Sequence, residues 1–302
     1  MPEQIRTLTT ESYRLYQPLQ SVSPFLFSSP HSGAEYPADF LARSPLDSLS
    51  IRSSEDAFVN QLFEEAPNLG APLLSARLPR AFVDLNRSCD ELDPAVIEGL
   101  ERAPHNPRIS SGLGVIPRVV SGGRLIYRGK LSQSEAAARI CRYWHPWHAA
   151  LQQLITKTVT RVGAAVLIDC HSMPHEALEG NARPGSPRPQ IVLGDRYGAA
   201  AGPEAMAQVE QAFTEAGLRV SRNSPFAGAY ITQAYGRPAR NIHAIQVEID
   251  RSLYMDEKTV SPHEGFDDFA ALITGVIARL TRAEPTAAII RPNEENPPLA
   301  AE

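Results

Sequence analysis

The segment Ala164-Ala165-Val166-Leu167-Ile168-Asp169-Cys170-His171-Ser172 constrains the fold of this chain most tightly. Its unbroken apolar run has no polar face, so it reads as a strand buried on both sides. Such strands belong to parallel or mixed sheets covered by helices. In open sheets of this kind the ligand sits beyond the carboxyl ends of the strands. Asp169 and His171 lie at that end, so an acid and an imidazole on alternate residues point to a site. The competing reading is a strand end whose polar groups only satisfy the following loop.

The remaining pattern alternates strands with helices, which predicts an α/β class. Residues 25–28 predict a strand that feeds the loop Ser29-Pro30-His31-Ser32-Gly33. Residues 72–76, 81–85 and 190–194 predict three more strands. Ser54 is placed to cap a helix that carries Phe58, Leu62 and Phe63 and ends near Pro67. Residues 91–117 read as a long surface excursion, and residues 119–127, with Gly122-Gly123 inside, as a hairpin. Ser132-Gln133-Ser134-Glu135 is a capping box opening a long helix to about Arg161, kinked at Pro146. Residues 203–216 predict a helix ended by Gly217, and residues 263–281 a last one. Residues 173–189 and 223–238 read as loops rich in Pro and Gly. In His243-Ala244-Ile245-Gln246-Val247-Glu248-Ile249-Asp250 the alternation puts Gln246, Glu248 and Asp250 on one face. Residues 1–283 are expected to form one domain, and 284–302 a Pro-rich tail.

Composition narrows the function. With 29 basic and 34 acidic residues the net charge is −5, which offers no general attraction to nucleic acid or an anionic membrane. Three cysteines, an odd number without close pairing, argue against a disulfide framework and fit a reducing compartment. The first residues carry no apolar signal-peptide core, and no apolar run approaches membrane-spanning length. The expectation is a cytoplasmic protein acting on a small molecule, with no stated oligomeric state. G-x-G-x-x-G, Walker, HExxH and G-x-S-x-G motifs are absent from the sequence, so nucleotide-binding and serine-hydrolase readings lack support.

Polar residues with catalytic chemistry cluster at predicted strand ends: His31, Asn86-Arg87, Asp169 with His171, and Glu248. Glu55 and Asp56 stand at a predicted helix start. Two histidines and one carboxylate are the ligand set of a catalytic zinc site, which leaves one position for water. A separate carboxylate must then move protons, and Glu248 on its strand's polar face suits that role. Arg87 can anchor a substrate carboxylate through a bidentate pair. Taken singly, each residue has a plainer reading. His31 can be a loop imidazole, Asp84 and Arg87 an ion pair, and Glu248 a solvent-facing side chain. His145 and His148, beside Trp144 and Trp147, read as packing or hydrogen-bonding residues rather than ligands. His175 bears on substrate or does nothing, and His105 and His263 read as surface residues.

Five ordered motifs together carry a resemblance. They are Ser29-Pro30-His31-Ser32-Gly33, Asp84-Leu85-Asn86-Arg87, Asp169-Cys170-His171-Ser172, Tyr230-Ile231-Thr232 with Tyr235-Gly236-Arg237-Pro238, and His243-Ala244-Ile245-Gln246-Val247-Glu248. In order and spacing, from about Phe25 to Met255, they resemble the N-formylglutamate amidohydrolase family. The resemblance implies a mixed sheet flanked by helices, similar to zinc carboxypeptidases and aspartoacylases. It implies hydrolysis of N-formyl-L-glutamate to formate and L-glutamate, a step of histidine degradation, with one Zn²⁺ per chain. It implies that His31 and His171 bind the zinc, with Asp56 as acidic ligand ahead of Glu55 and Glu35. Glu248 matches the general base, Asn86 and Arg87 the residues that grip substrate, and Asp169 a residue that orients a ligand or Arg87. Family members often carry Arg then His after the Ile-Thr pair, where this chain has Gln233 and Ala234. Arg237, Arg124 or Arg183 is expected to replace that Arg. Gln233 also admits a related hydrolase acting on another N-acyl amino acid or small peptide. A metal- or ligand-binding relative without catalysis is the third reading.

Overall fold

A computed structural model of the protein describes residues 5–20, 23–101, 106–178 and 188–282. Apolar runs that cannot face water pair with one another into an eight-stranded sheet. From one edge its strands are Ile5–Thr9, Tyr13–Pro18, Leu73–Ala76, Phe25–Ser29, Ala165–Met173, Ile242–Asp250, Ile191–Gly194 and Val220–Arg222. Leu73–Ala76, Phe25–Ser29, Ala165–Met173 and Ile242–Asp250 run parallel in the middle. Tyr13–Pro18 and Ile191–Gly194 flank them antiparallel, which makes the sheet mixed.

Every residue of Ala165–Met173 is buried, because helices cover both faces. Alternation sorts the side chains. Val166, Ile168 and Cys170 join Ile245, Val247 and Ile249 against helices Pro203–Thr214 and Phe266–Arg282. In the second of these, Phe269, Ile273, Val276, Ile277 and Leu280 recur at helical spacing and form the buried stripe. Ala165 and Leu167 face the other way, with Leu26, Leu74 and Ala244. There they meet Trp147, Leu151, Leu154 and Ile155 of helix His145–Val162. Each large apolar side chain buried this way contributes about 1.5–3 kcal/mol.

Most expected elements form, and the exceptions have physical causes. Half of the capping box forms: Ser132 Oγ accepts the Glu135 N–H at 3.1 Å, while the Glu135 carboxylate turns to Arg43 and Arg139. The long helix is three pieces, Gln133–Arg139, a π-helical turn Ile140–Trp144, and His145–Val162. The π turn stands just before Pro146, whose missing N–H leaves the preceding turn short of a donor. The helix expected from Ser54 is only Val59–Leu62. The Asp56 N–H is drawn instead to the His31 carbonyl at 3.1 Å, and Phe58 adopts a left-handed φ of 65°. Residues 81–85 are not a strand. Their N–H groups turn back to Pro79 and across to Val115, although Ala81, Val83 and Leu85 are buried. A short apolar run shows burial but not its backbone form. Strands Ile5–Thr9, Tyr13–Pro18 and Val220–Arg222, and helix Tyr230–Tyr235 within the expected 223–238 loop, were not anticipated. His105, Arg183, residues 179–187 of the 173–189 loop and the 284–302 tail lie outside the described residues. No helix among the described residues is long and apolar enough to cross a membrane.

His148 is a core histidine. Its Nε2 lies 3.0 Å from the Leu85 carbonyl and its Nδ1 2.8 Å from the Tyr235 hydroxyl, with its ring against Trp144. Burial pushes its imidazole down to about 4. The unfolded chain therefore takes up this proton first as pH falls, so stability present above pH ~6.5 is lost toward pH ~4. The loss is on the order of 3 kcal/mol. A His148→Gln variant should be less stable than the parent near neutrality and should lose that much less on acidification. Urea melts at both pH values measure the difference, and parallel pH dependences would refute the buried neutral state.

Candidate active site

Sheet register brings the first residues together. In the parallel pair, Glu248 stands beside His171 and Gln246 beside Asp169. One strand further, Ser28 stands beside Asp169 and donates to its Oδ1 at 2.8 Å. These polar groups share the face that carries Leu167 and Ala244 lower in the strands. Helix His145–Val162 packs on that apolar part, and a cavity of about 380 Å³ opens at the polar ends. His31, Asp56, Asn86, Arg87, His171 and Glu248 all line it.

His31 leaves the end of strand Phe25–Ser29 on a loop pressed against the backbone at Arg77 and Leu78. A Cβ on Gly33 would stand 2.1 Å from the Leu78 carbonyl oxygen, so only glycine fits there. The loop is tied to Asp56 through the bond from the Asp56 N–H to the His31 carbonyl. His31, Asp56 and His171 are all buried, and each offers a ligand atom within 4.8 Å of the others. The Asp56 Oδ2 lies 2.8 Å from His171 Nδ1 and 3.3 Å from His31 Nδ1. Among the described residues His31 Nδ1 has no hydrogen-bond partner, although it is buried. A buried nitrogen with no partner, facing a carboxylate and a second imidazole, is the environment a divalent cation completes.

The outer ring nitrogens are held by carboxylates. His31 Nε2 is 2.7 Å from Asp84 Oδ1, and His171 Nε2 is 2.9 Å from Asp169 Oδ2. Carboxylates in these positions orient metal-binding imidazoles. Asp84 pairs with Arg80 at 2.9 Å, so the ion pair once conceivable with Arg87 is made with Arg80 instead. Asn86 Oδ1 accepts the Ile231 N–H at 2.7 Å, which turns its amide nitrogen toward Asp169 at 3.2 Å. Arg251 donates to the Glu55 carbonyl at 2.6 Å, to Asp56 Oδ1 at 3.2 Å and to Ser172 Oγ at 3.1 Å.

These contacts set the charges. Burial pushes the Asp56 carboxyl up, but the His171 and His31 imidazoles outweigh it and hold it well below the carboxylate range. Asp84 behaves likewise, with His31 and Arg80 overcoming burial. Burial disfavours charge on His171, yet Asp169 and Asp56 raise its imidazole well above the usual value. Glu248 goes the other way. Burial, with the Asp56 charge nearby, pushes its carboxyl up to about 7 against the pull of His171, Arg80 and Arg251. Gln246 Nε2 donates to Glu248 Oε1 at 2.7 Å and its own carbonyl accepts the Ala229 N–H at 2.9 Å. Two neighbouring carboxyls are thus driven apart, one firmly ionised and one close to neutrality, as acid–base sites require.

Other candidates are not brought to the cavity. Arg237 donates to the carbonyls of Gln233 and Gly236, Gln233 is exposed, and neither lines the cavity. Arg124 binds Ser50 and Ser53. Glu35 pairs with Arg14 and Arg77, and the Glu55 carboxylate with Arg52 and Tyr36. His175 pairs with Asp250 at 2.8 Å. Sequence reasoning missed Arg80, Arg108, Gln246 and Arg251, all in the cavity wall. Gln246 and Arg251 could have been found, since they flank Glu248 in and just after its strand. Arg80 lies in an irregular stretch, and Arg108 in the one-turn helix Pro107–Ser110 within the long excursion, where nothing in the local pattern marks a site.

The whole arrangement has counterparts. The family model described as N-formylglutamate amidohydrolase matches residues 23–255. A crystal structure of N-formylglutamate amidohydrolase from Ralstonia eutropha JMP134 is similar with a TM-score of 0.83 at 36% identity, covering 90% of this chain and 98% of that one. N-formylglutamate deformylase of Pseudomonas aeruginosa is 29% identical over 266 residues, 85% of this chain and 91% of its own length. The Pseudomonas putida protein of the same name is 28% identical over 267 residues, 86% and 91% of the two lengths. The motifs, the mixed sheet and these relatives agree, and the chain belongs to the N-formylglutamate amidohydrolase family.

Proposed function

We propose that this protein hydrolyses N-formyl-L-glutamate to formate and L-glutamate as a metal-dependent amidohydrolase. The observation that carries the reading is the convergence of His31, Asp56 and His171 beside Glu248 in a cavity that also holds Arg87. His31 Nδ1, His171 Nδ1 and an Asp56 oxygen would hold Zn²⁺, and the partnerless His31 nitrogen supports that fit. When bound, such an ion supplies Lewis-acid chemistry that polarises a carbonyl oxygen. The chain's own groups do the rest. Asp84 and Asp169 keep the imidazoles aimed inward. Glu248, ionised, takes a proton from the attacking water as it adds to the formyl carbon, then delivers it to the departing amine. Gln246 fixes the carboxylate for both transfers. Arg87 donates to the backbone carbonyls of Leu113 and Asn86 and offers its remaining N–H groups to a substrate carboxylate. The exposed Gln233 stands outside the cavity, so its identity does not weigh against this substrate. The net charge of −5 and three free cysteines suit a cytoplasmic enzyme of amino-acid catabolism, such as histidine degradation.

Zinc-loaded protein should turn over N-formyl-L-glutamate and lose that activity to a chelator, with recovery on adding zinc. Glu248→Gln should lower kcat by about 10²–10⁴-fold while metal content, read by elemental analysis, stays at the parent value. His171→Ala should lose the metal. Parental turnover in the first variant, or stoichiometric zinc in the second, would sink the respective assignment.

Metal uptake should also be linked to protons. Asp169 and Asp56 raise the His171 pKa and so favour its protonated form in the metal-free protein, whereas a ligand imidazole must be neutral. Zinc binding near pH 7 should therefore release protons, and affinity should weaken as pH falls. Calorimetry in buffers of differing ionisation enthalpy reads this directly. An uptake of protons on binding would contradict it.

A further inference from the structure

We propose that Arg108 receives the side-chain carboxylate of the substrate and sets the preference for a dicarboxylic N-formyl amino acid, an assignment that rests on the function proposed above. Among the described residues four arginines reach the cavity: Arg80, Arg87, Arg108 and Arg251. Two are spoken for by buried acids. Arg80 pairs with Asp84 at 2.9 Å and Arg251 with Asp56 at 3.2 Å. The other two are not matched in this way. The Arg87 guanidinium donates to the neutral carbonyls of Leu113 and Asn86. The Arg108 guanidinium comes only to 3.6 Å of Glu91, and its side chain is 37% exposed. Burial weighs most against the charge on Arg87; Asp84 and Glu91 support that charge, and Arg80 and Arg108 oppose it. Among the described residues neither guanidinium is hydrogen-bonded to a carboxylate, so both are free to take the two charges of a dianion.

Their places in the fold separate their roles. Arg87 follows Asn86, whose amide reaches both Asp169 and His171, so it sits close to where the amide bond breaks. The α-carboxylate, adjacent to the amide-bearing carbon, belongs there. Arg108 comes from the short helix Pro107–Ser110 in the outer excursion, whose Asn106 cap accepts the Arg108 N–H at 2.9 Å. In this assignment the longer side chain of the substrate reaches toward that wall. Arg237 and Arg124, expected from sequence to supply the second cation, are bonded outside the cavity.

The experiment compares kcat/KM for N-formyl-L-glutamate and N-formyl-L-glutamine, which differ only in the side-chain charge, using zinc-loaded parent, Arg108→Gln and Arg108→Lys proteins. The parent should prefer the glutamate compound by about 10- to 100-fold. Arg108→Gln should erase that preference by losing activity on the glutamate compound alone, and Arg108→Lys should restore part of it. Turnover of the glutamine compound reports that the variant is folded and competent. Equal losses on both substrates, or a preference that survives Arg108→Gln, would overturn the assignment. A parent that hydrolyses both equally well would overturn Arg108 as selector and leave the deformylase reading standing. A parent inert toward both would overturn the function itself and this assignment with it.

Discussion

Parallel pairing between Ala165–Met173 and Ile242–Asp250 places Glu248 beside His171, and the site grows from that register. A slip of either strand by one residue would turn its own polar pair, Asp169 and His171 or Gln246 and Glu248, into the opposite core. The register is held by apolar side chains below the site. Val166, Ile168, Ile245 and Val247 are sealed on one face by two helices, and Leu167 and Ala244 on the other by the Trp147 helix. A buried parallel sheet is thus a rigid support for polar groups at its rim, while the loops beyond it bring in His31, Asp56 and Asn86.

The rim concentrates buried charge that would be costly if left unmatched. Asp56, Asp84, Asp169 and Glu248 are all buried at the sheet rim. Removing one partner of such a pair typically costs 3–5 kcal/mol, because the other charge is left buried. Here each of the three aspartates has more than one partner. Asp84 serves His31 and Arg80, Asp56 serves both imidazoles and Arg251, and Asp169 serves Ser28, Asn86 and His171. Among the described residues Glu248 has only Gln246 as a side-chain hydrogen-bond partner, and its carboxyl is accordingly the one pushed up to about 7. The same burial that makes this group poorly placed for stability makes it suited to exchanging protons.

Several readings were legible because they depend on local pattern. Continuous apolar runs located strands Phe25–Ser29, Ala165–Met173 and Ile191–Gly194, alternation located Ile242–Asp250, and helical spacing and caps located the long helices. Residues 54–58 and 81–85 misled for one reason. A polar cap or a short apolar run is compatible with more than one backbone form, and bonds from distant carbonyls chose between them. The helix at Tyr230–Tyr235 likewise takes a cap from Asn86, far away in sequence, so no neighbouring residue announces it.

By itself the sequence determined the α/β class, the central strands and the polar residues at their carboxyl ends, because strand burial and side-chain alternation are properties of consecutive residues. Motif order also pointed to the family. Tertiary structure alone decided which acid meets the two imidazoles: Asp56 does, while Glu55 turns to Arg52 and Tyr36 and Glu35 to surface arginines. It alone placed Arg80 and Arg108 in the cavity and kept Arg237 out. The distance between two charged side chains is set by how loops cross the sheet rim, and residues in such loops carry no periodicity from which that distance can be read.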